Sequence, residues 1–224
     1  MNLEINYLYL RNHKMFDLIS TQTLREIAIK SNLKSMSKGS VLDICFGEDE
    51  CVYILMQGML KIIEIDDDGN EIIKELAHKG DIFGEISLSQ SINPCEFGIA
   101  LSENVIYCSF TMKDFEQILI ENPATGIAYS KILGTRLKRI QNRYLNLRFN
   151  DVRTRLIYYL EDLVRKEGKT KYNGLMVRNY LTHQDIASLI SSTRQTVSQL
   201  FNELRKDGLI DYDRSMVLWK GAAS

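Results

Sequence analysis

Short runs of β-branched and apolar residues alternate with turn residues between Gly39 and Tyr107. The runs read VLDICF, CVYILMQG, MLKIIEI, IIKELA and VIYCSF. Runs of this length and composition are typical of β-strands, and the Asp68-Gly69 pair between KIIEID and EIIKEL indicates a hairpin turn. The pattern therefore predicts a β-sandwich, barrel or jelly roll in this part of the chain.

The spacing becomes helical after this region. MKDFEQILIE predicts a short helix before Asn122-Pro123, and a long segment without another proline runs from there to Phe149. Its apolar residues follow the four-three spacing of a coiled-coil seam: Leu133, Leu137, Ile140, Tyr144 and Leu147. We interpret the segment as a parallel homodimer helix with that seam as its interface; packing on its own β domain is the alternative. The cations expected on its solvated flanks are Lys131, Arg136, Lys138, Arg139 and Arg143.

Two short helices joined by a tight turn are predicted near the C-terminus. Thr182-His183-Gln184-Asp185 has the form of a capping box, and Ser191-Ser192 interrupts the helix that it opens. Thr193 can cap a second helix, whose apolar positions are Val197, Leu200, Phe201 and Leu204. Such a pair is a helix-turn-helix, and LIDYDRSMVLWKG predicts a two-stranded wing behind it.

The polar side chains at the start of the second helix fit DNA bases. In a helix-turn-helix this end enters the major groove, where Arg can bind guanine O6/N7 and Gln can bind adenine N6/N7. We assign this role to Arg194, Gln195 and Gln199. Weaker candidates, for phosphate contacts, are residues that otherwise serve as caps or surface: Thr182, Ser192, Thr193 and Lys171.

Composition indicates an ordinary globular protein, and the distribution of charge makes the C-terminal part a candidate for nucleic-acid binding, although a few charges of this kind are commonly just solvated surface. The chain has 224 residues, of which 45% are hydrophobic and 25% charged, as in ordinary globular proteins. Residues 1–149 hold 16 Lys/Arg against 20 Asp/Glu, whereas residues 150–224 hold 12 against 9, so only the C-terminal part is basic. No apolar run approaches the roughly 20 residues of a membrane span, and no signal peptide is recognisable, so we expect a cytoplasmic protein without a membrane partner.

Nothing in the chain indicates an enzyme. It lacks the short motifs of serine hydrolases, P-loop nucleotide-binding proteins and zinc proteases. Its three histidines leave little general-base chemistry. The four cysteines are Cys45, Cys51, Cys95 and Cys108. They stand singly rather than at metal-ligand spacing, so we expect no metal site.

The sequence resembles the CRP/FNR family of bacterial transcription regulators over nearly its whole length. The resemblance rests on LTHQDIASLISSTRQTVSQLFNELRKDGLI, on the hinge NLRFNDVRTRL and on the glycines of the β region. It implies an α+β protein: a jelly-roll β-roll sensor at 1–121, a dimerisation helix at 122–149 and a winged helix-turn-helix at 150–224. It also implies a homodimer on a palindromic site in double-stranded DNA, with RNA polymerase as a further partner of an activator.

The resemblance also implies an effector pocket. Cyclic-nucleotide sites of the family pair a Gly-Glu with an Arg-Ser or Arg-Thr that binds the cyclic phosphate. The corresponding positions here, together with the two that face adenine, are Gly84, Glu85, Cys95, Glu96, Ile140 and Gln141. No Lys, Arg or His occurs from Asp81 to Met112. A buried phosphate would meet no cation there and would be repelled by Glu96, so we expect no tight binding of cAMP or cGMP.

Several alternatives for the effector stay open. The apolar character of the region suits a small neutral or aromatic molecule, a haem, or a pocket filled by side chains in a regulator that needs no effector. Haem or redox sensing would use residues among His13, His78, Cys51 and Cys95. A β-roll that serves only as a protein-interaction module is a more distant alternative, which the groove-facing polar residues disfavour.

Overall fold

The structure, a computed structural model, describes residues 3–44, 51–66, 69–84, 96–171 and 174–221. The chain divides into two compact units, Met1–Lys138 and Arg139–Ser224. The boundary falls within the long helix that the heptad spacing predicts. None of the helices in the described ranges is both long and apolar enough to cross a membrane.

The first unit begins with helices, continues with strands and ends in helices. Helix α1 (Leu3–Arg11), a 3-10 turn (Lys14–Phe16) and α2 (Thr21–Ile29) come first. The strands are β1 (Asn32–Ser37), β2 (Val41–Asp43), β3 (Cys51–Gln57), β4 (Met59–Ile65), β5 (Glu71–His78), β6 (Ile82–Phe83), β7 (Glu96–Ala100) and β8 (Asn104–Thr111). Helix α3 (Met112–Glu121) follows, and α4 (Pro123–Phe149) begins in this unit. Both helices lie where the spacing predicts them.

These strands form a β-roll. Within the described residues they make two antiparallel sheets, with the orders β1-β8-β3-β6 and β2-β7-β4-β5. Side chains from both sheets meet in one apolar cluster, which includes Leu55, Leu60, Ile62, Phe83 and Tyr107. The jelly-roll β-roll implied by the family resemblance is therefore confirmed, and it is one of the three architectures that the pattern predicted.

Burial on both faces explains the continuous apolar run in β3. Tyr53 and Leu55 belong to the cluster between the sheets. Val52, Ile54 and Met56 belong to a second cluster, which includes residues of α1, α2, α3 and α4. A strand covered on both faces has no polar side to alternate, so CVYILMQ contains five buried residues in succession.

The second unit is a winged helix-turn-helix. It contains the C-terminal part of α4 and then α5 (Val152–Glu167), β9 (Lys169–Lys171), β10 (Gly174–Arg178), α6 (His183–Leu189), α7 (Arg194–Lys206), β11 (Ile210–Tyr212) and β12 (Met216–Trp219). The strands form one antiparallel sheet in the order β11-β12-β10-β9. The predicted pair of helices and the predicted wing are both present.

Candidate DNA interface and effector pocket

The two helices of the helix-turn-helix begin at the predicted caps. The Thr182 hydroxyl accepts a hydrogen bond from the Asp185 amide at 3.1 Å, and the Asp185 carboxylate accepts one from the Thr182 amide at 2.9 Å. Thr193 accepts from the Thr196 amide at 3.1 Å. Between the helices Ser191 has a φ of 50°, the left-handed conformation that ends a helix sharply.

Burial of one side of α7 fixes which side faces outward. Val197, Leu200, Phe201 and Leu204 form its buried side. Arg194, Gln195 and Gln199, the three residues assigned to base contacts, are all exposed at its N-terminal end. Gln195 and Gln199 are four residues apart, so their side chains lie on the same side of the helix. The structure thus brings the three candidates together on one accessible surface.

The amide of Gln199 has a defined orientation. Its Nε2 donates to Oε1 of Glu203 at 2.9 Å. Because a carboxylate can only accept, the amide nitrogen must face Glu203 and the amide oxygen is left for another donor. Glu203 lies one helical turn further along α7 and was not among the predicted site residues; its i, i+4 spacing from Gln199 is the sequence signal that could have identified it.

The candidates for phosphate contacts lie at three places in the second unit: the start of α6, the turn before α7 and the end of β9. Thr182 and Thr193 are the helix caps described above, and Ser192 donates its backbone amide to the Ala187 carbonyl at 2.9 Å. Lys171 lies at the end of β9 and is exposed. The local roles of Thr182, Ser192 and Thr193 are therefore defined, and phosphate contact by any of the four candidates stays a prediction.

A ring cluster that the sequence did not predict connects α6, α7 and the wing. The ring of His183 lies 4.7 Å from that of Phe201, which in turn packs edge-on against Tyr212 at 5.0 Å. His183 Nδ1 is 2.8 Å from the Ser198 hydroxyl, which donates to the Arg194 carbonyl. Burial lowers the pKa of His183 below its usual value, and the charge of Arg194 lowers it further. The neutral ring therefore fits this site best.

The wing is attached to α7 by polar contacts. The Tyr212 hydroxyl donates to Asn202 Oδ1 at 3.0 Å. The Arg205 guanidinium lies 4.1 Å from the centre of the Tyr212 ring and 3.0 Å from the Asp211 carboxylate. These contacts set the position of β11 relative to the recognition helix.

In the β-roll, Gly84 is required by the backbone. It has a φ of +89°, and a Cβ at this position would lie 2.5 Å from the Cys51 carbonyl oxygen and 2.7 Å from the Tyr53 ring. No other residue fits here, whatever the effector. Two further residues of the predicted pocket, Glu85 and Cys95, lie outside the described residues.

Glu96 meets a cation that the sequence argument did not anticipate. Lys74, on β5, forms ion pairs with Glu96 on β7 and, at 3.3 Å, with Glu64 on β4. Burial opposes the charged form of Lys74, but hydrogen bonds and the charges of Glu96 and Glu64 outweigh it and raise the lysine pKa. The interval from Asp81 to Met112 does lack a cation, yet β5 supplies one from outside that interval.

Arg136 is a second cation with a partner in the roll. Its Nε donates to Glu75 Oε2 at 3.1 Å, its Nη2 donates to Oε1 of the same carboxylate, and its Nη1 donates to the Ile82 carbonyl at 3.4 Å. The expectation that Arg136 lies on a solvated flank of the helix is therefore wrong. It failed because the sequence does not reveal which side of α4 faces β5.

The predicted dimer seam is accessible in the single chain. Leu133 is 40% exposed, while Leu137, Ile140 and Tyr144 are each more than half exposed; Leu147 is half-buried. Ile140 and Gln141, the helix residues of the predicted effector pocket, lie on the part of α4 that belongs to the second unit. Their roles as interface and pocket residues stay predictions.

Among the candidate haem or redox residues, His13 has a structural role in the first unit. His13 is buried, its Nδ1 accepts from the Met15 amide at 3.3 Å, and its Nε2 lies 3.1 Å from the Gly80 carbonyl. Both ring nitrogens are thus engaged, so iron ligation would break one of these bonds. Burial raises the pKa of the thiol of Cys108, a cysteine outside this candidate set, to about 12, which keeps it unreactive. The other two described candidates, Cys51 and His78, are half-buried.

Known proteins match both units. Residues 34–122 match the model of the cyclic nucleotide-binding domain, and residues 154–219 match that of the Crp-like helix-turn-helix domain. The global nitrogen regulator of Synechococcus elongatus is 30% identical over 162 residues, which cover 72% of this chain and 73% of that protein. The chain belongs to the CRP/FNR family of transcription regulators.

This CRP/FNR regulator has further relatives with different names. The anaerobic regulatory protein of Bacillus subtilis is 26% identical over 199 residues, 89% of this chain and 84% of that protein. A solved CooA mutant from Carboxydothermus hydrogenoformans matches in fold with a TM-score of 0.74 at 23% identity, covering 94% of this chain and 92% of the other. Membership makes the protein a helix-turn-helix DNA-binding regulator, and regulators of this family are dimers.

Proposed function

We propose that this CRP/FNR regulator reads a palindromic duplex through Arg194, Gln195 and Gln199 of each subunit in a homodimer. The observation that carries the proposal is their common exposure at the start of α7, opposite its buried side. A two-fold dimer presents two such helices about one DNA turn, or roughly 34 Å, apart. Each half-site then meets the same three side chains, and the basic excess of residues 150–224 favours the approach to phosphates.

Selection of duplexes from a random pool tests this proposal. The expected product is a two-fold symmetric site whose half-sites are centred about one turn apart. Its affinity should fall linearly with the logarithm of salt concentration, because phosphate contacts release counterions. The matched control is the triple variant Arg194→Ala, Gln195→Ala, Gln199→Ala, which should bind all duplexes equally and weakly. Selection of the same site by this variant would refute the assignment.

The exposed seam of α4 is the proposed dimer interface. Leu133, Leu137 and Ile140 recur at heptad spacing, and such a seam needs a second copy to bury it. Ile140→Asp should therefore dissociate the dimer and lower affinity for the selected duplex. Lys138→Gln, an exposed change on the same helix, should leave both unchanged. If Ile140→Asp sediments as a dimer and binds normally, the seam is assigned wrongly.

The ion pairs in the roll support an effector without a phosphate, or none. Lys74 already holds Glu96 and Glu64, so the three side chains together carry one negative charge. A cyclic phosphate would have to displace Glu96 and leave its carboxylate near the new anion, which is unfavourable at a partly buried site. We propose that a neutral organic effector, or no effector, controls this regulator, and that the chain has no catalytic role of its own.

Two measurements separate the effector classes. Calorimetric titration with cAMP and with cGMP should give no micromolar binding, and such binding would overturn the proposal. An absorbance spectrum of the protein purified without oxygen should show no band beyond the aromatic region. A Soret band would indicate a haem sensor instead and direct attention to His78 and the cysteines.

A further inference from the structure

Strand β5 contains a bulge at the position where its charged side chains lie. Ile62 of β4 pairs with Glu75, whereas the next residue, Ile63, pairs with Ile73. Lys74 is therefore the additional residue. Neighbouring side chains of a regular strand point to opposite faces, and a bulge changes the direction of one of them. This irregularity sets the directions of two oppositely charged neighbours, Lys74 and Glu75.

The two neighbours connect β5 to different elements. Lys74 joins the carboxylates of Glu64 on β4 and Glu96 on β7. Glu75 accepts two hydrogen bonds from the Arg136 guanidinium on α4. The bulge is thus a point at which three strands of one sheet and the long helix are linked by charge.

Arg136 also links α4 to β6. The same guanidinium donates to the carbonyl of Ile82, two residues before Gly84. The side chains of Arg136 and Glu75 are 34% and 25% exposed, so solvent screens the pair less than it screens a fully exposed one. A two-point guanidinium–carboxylate contact also fixes orientation, which a single contact does not.

We propose that Glu75 and Arg136 are positioning residues that hold α4 in one register on the β-roll, and through it position the recognition helices for DNA. This inference rests on the proposed function as a homodimer on a palindromic site. Leu133 and Leu137 of the seam flank Arg136 on α4, and α4 ends at Phe149, shortly before α5 begins at Val152. A shift of α4 on β5 and β6 would therefore change both the seam and the start of the DNA-binding region.

The experiment uses the full-length protein and the palindromic duplex that the wild type selects from a random pool. Affinity is measured by fluorescence anisotropy at one salt concentration, for Glu75→Gln, Arg136→Gln, the exchanged pair Glu75→Arg/Arg136→Glu and the control Lys138→Gln. Lys138 is an exposed cation on the same helix. Circular dichroism and sedimentation confirm that each variant is folded and establish its mass.

We expect each single variant to lose about tenfold in affinity while remaining folded and dimeric, a factor equivalent to about 1.4 kcal/mol. The exchanged pair should recover most of this loss because it restores the ion pair, although the bond to the Ile82 carbonyl is gone. Lys138→Gln should bind within twofold of the wild type. Recovery in the exchanged pair distinguishes positioning from simple loss of a surface charge.

Three results would overturn the inference. One is wild-type affinity, or higher affinity, in both single variants. Another is an exchanged pair that binds no better than the two single variants combined. The third concerns Arg136→Lys, which is used if a glutamine variant does not fold. This variant keeps the charge but not the two-point contact, so it should lose affinity for the duplex. Normal binding by Arg136→Lys would count against the inference. A wild type that selects no duplex would instead refute the proposed function.

Discussion

The two units of this regulator assemble their polar sites in different ways. In the winged helix-turn-helix, the three proposed base-reading residues lie within six consecutive positions of one helix. In the β-roll, Lys74 reaches a partner 22 residues away and Arg136 a partner 61 residues away. Helical geometry alone assembles the first site, whereas strand register and helix packing assemble the second. The site on the helix tolerates small shifts elsewhere in the fold. The ion pairs of the roll do not, because such shifts move their partners apart.

The largest expected effect tests whether the DNA interface depends on packing between α6, α7 and the wing or on α7 alone. Phe201 is 1% exposed and contacts the rings of His183 and Tyr212. Phe201→Ala should lower the free energy of unfolding of the second unit by about 3–5 kcal/mol, because it leaves a cavity at the junction of α6, α7 and the wing. Urea denaturation followed by circular dichroism measures this, together with DNA binding, which should be lost.

The control is Tyr158→Ala on α5, where the side chain is 48% exposed. Exposed substitutions usually change stability by less than about 0.5 kcal/mol. If Phe201→Ala lowers the free energy of unfolding no more than this control, the ring cluster does not hold the DNA interface together, and α7 alone positions its base-reading residues.

Arg194→Ala sharpens the comparison on the DNA side. It should weaken binding to the selected duplex by about 1–3 kcal/mol and relax one base position in each half-site, because a guanidinium contact to a base edge is lost. The matched change in the roll, Arg25→Ala on α2, should leave the selected sequence unchanged. A binding-site logo for Arg194→Ala identical to that of the wild type would remove this residue from the readout.

Acid should weaken the roll through His13. Burial lowers the pKa of His13 below its usual value of about 6.5, although the bond to the Gly80 carbonyl opposes this. The unfolded chain therefore binds the proton more readily, so the stability that the neutral ring provides is present above pH 6.5 and is lost as pH falls below it, by at most about 1.4 kcal/mol per pH unit.

Urea denaturation at pH 7.5 and 5.5 measures this loss, with His13→Gln as the comparison. The variant should be less stable than the wild type at pH 7.5 but should lose less on acidification, because it has no proton to bind at this position. His183, whose pKa is also lowered by burial, titrates in both proteins. If the wild type and His13→Gln lose the same free energy of unfolding between pH 7.5 and 5.5, His13 does not contribute to the acid sensitivity.

The elements predicted best from the sequence are those with local signals. A capping box opens α6, a proline opens α4, and a seam at heptad spacing runs along it; each acts within one or two helical turns. The recognition helix was predicted with its caps and its buried side for the same reason. The β-roll was predicted as a class of fold, since alternation and turn residues identify strands but not their neighbours.

The charged contacts of the roll could not be predicted in this way. The bulge at Lys74 is a property of the β4–β5 register, and the sequence gives no sign of which residue is the additional one. Arg136 reads as a solvated flank residue because heptad spacing identifies the seam but not the side of α4 that meets β5. Lys74 is a cation of the same kind: it lies outside the interval from Asp81 to Met112 and reaches Glu96 from another strand, so neighbours across strands, and not only neighbours in sequence, decide which charges meet.

The smallest expected effect lies within the DNA interface. It tests whether a contact within α7 is enough to orient the amide of Gln199. Gln199 donates its amide nitrogen to Glu203, so its oxygen is available to the groove, where it can accept from the amino group of adenine or cytosine. Glu203→Gln can donate as well as accept, and it therefore permits the opposite amide orientation. Such i, i+4 contacts contribute about 0.2–0.5 kcal/mol on an exposed helix.

We expect Glu203→Gln to relax one column of the selected half-site and to leave the column read by Arg194 unchanged. Glu161→Gln, the same change of charge on α5, controls for the general loss of an acid and should strengthen binding only slightly and equally for all sequences. If the half-site position read by Gln199 keeps its base preference in Glu203→Gln, the DNA itself orients this amide. In that case base readout, like the ion pairs of the roll, depends on a partner that the helix does not contain.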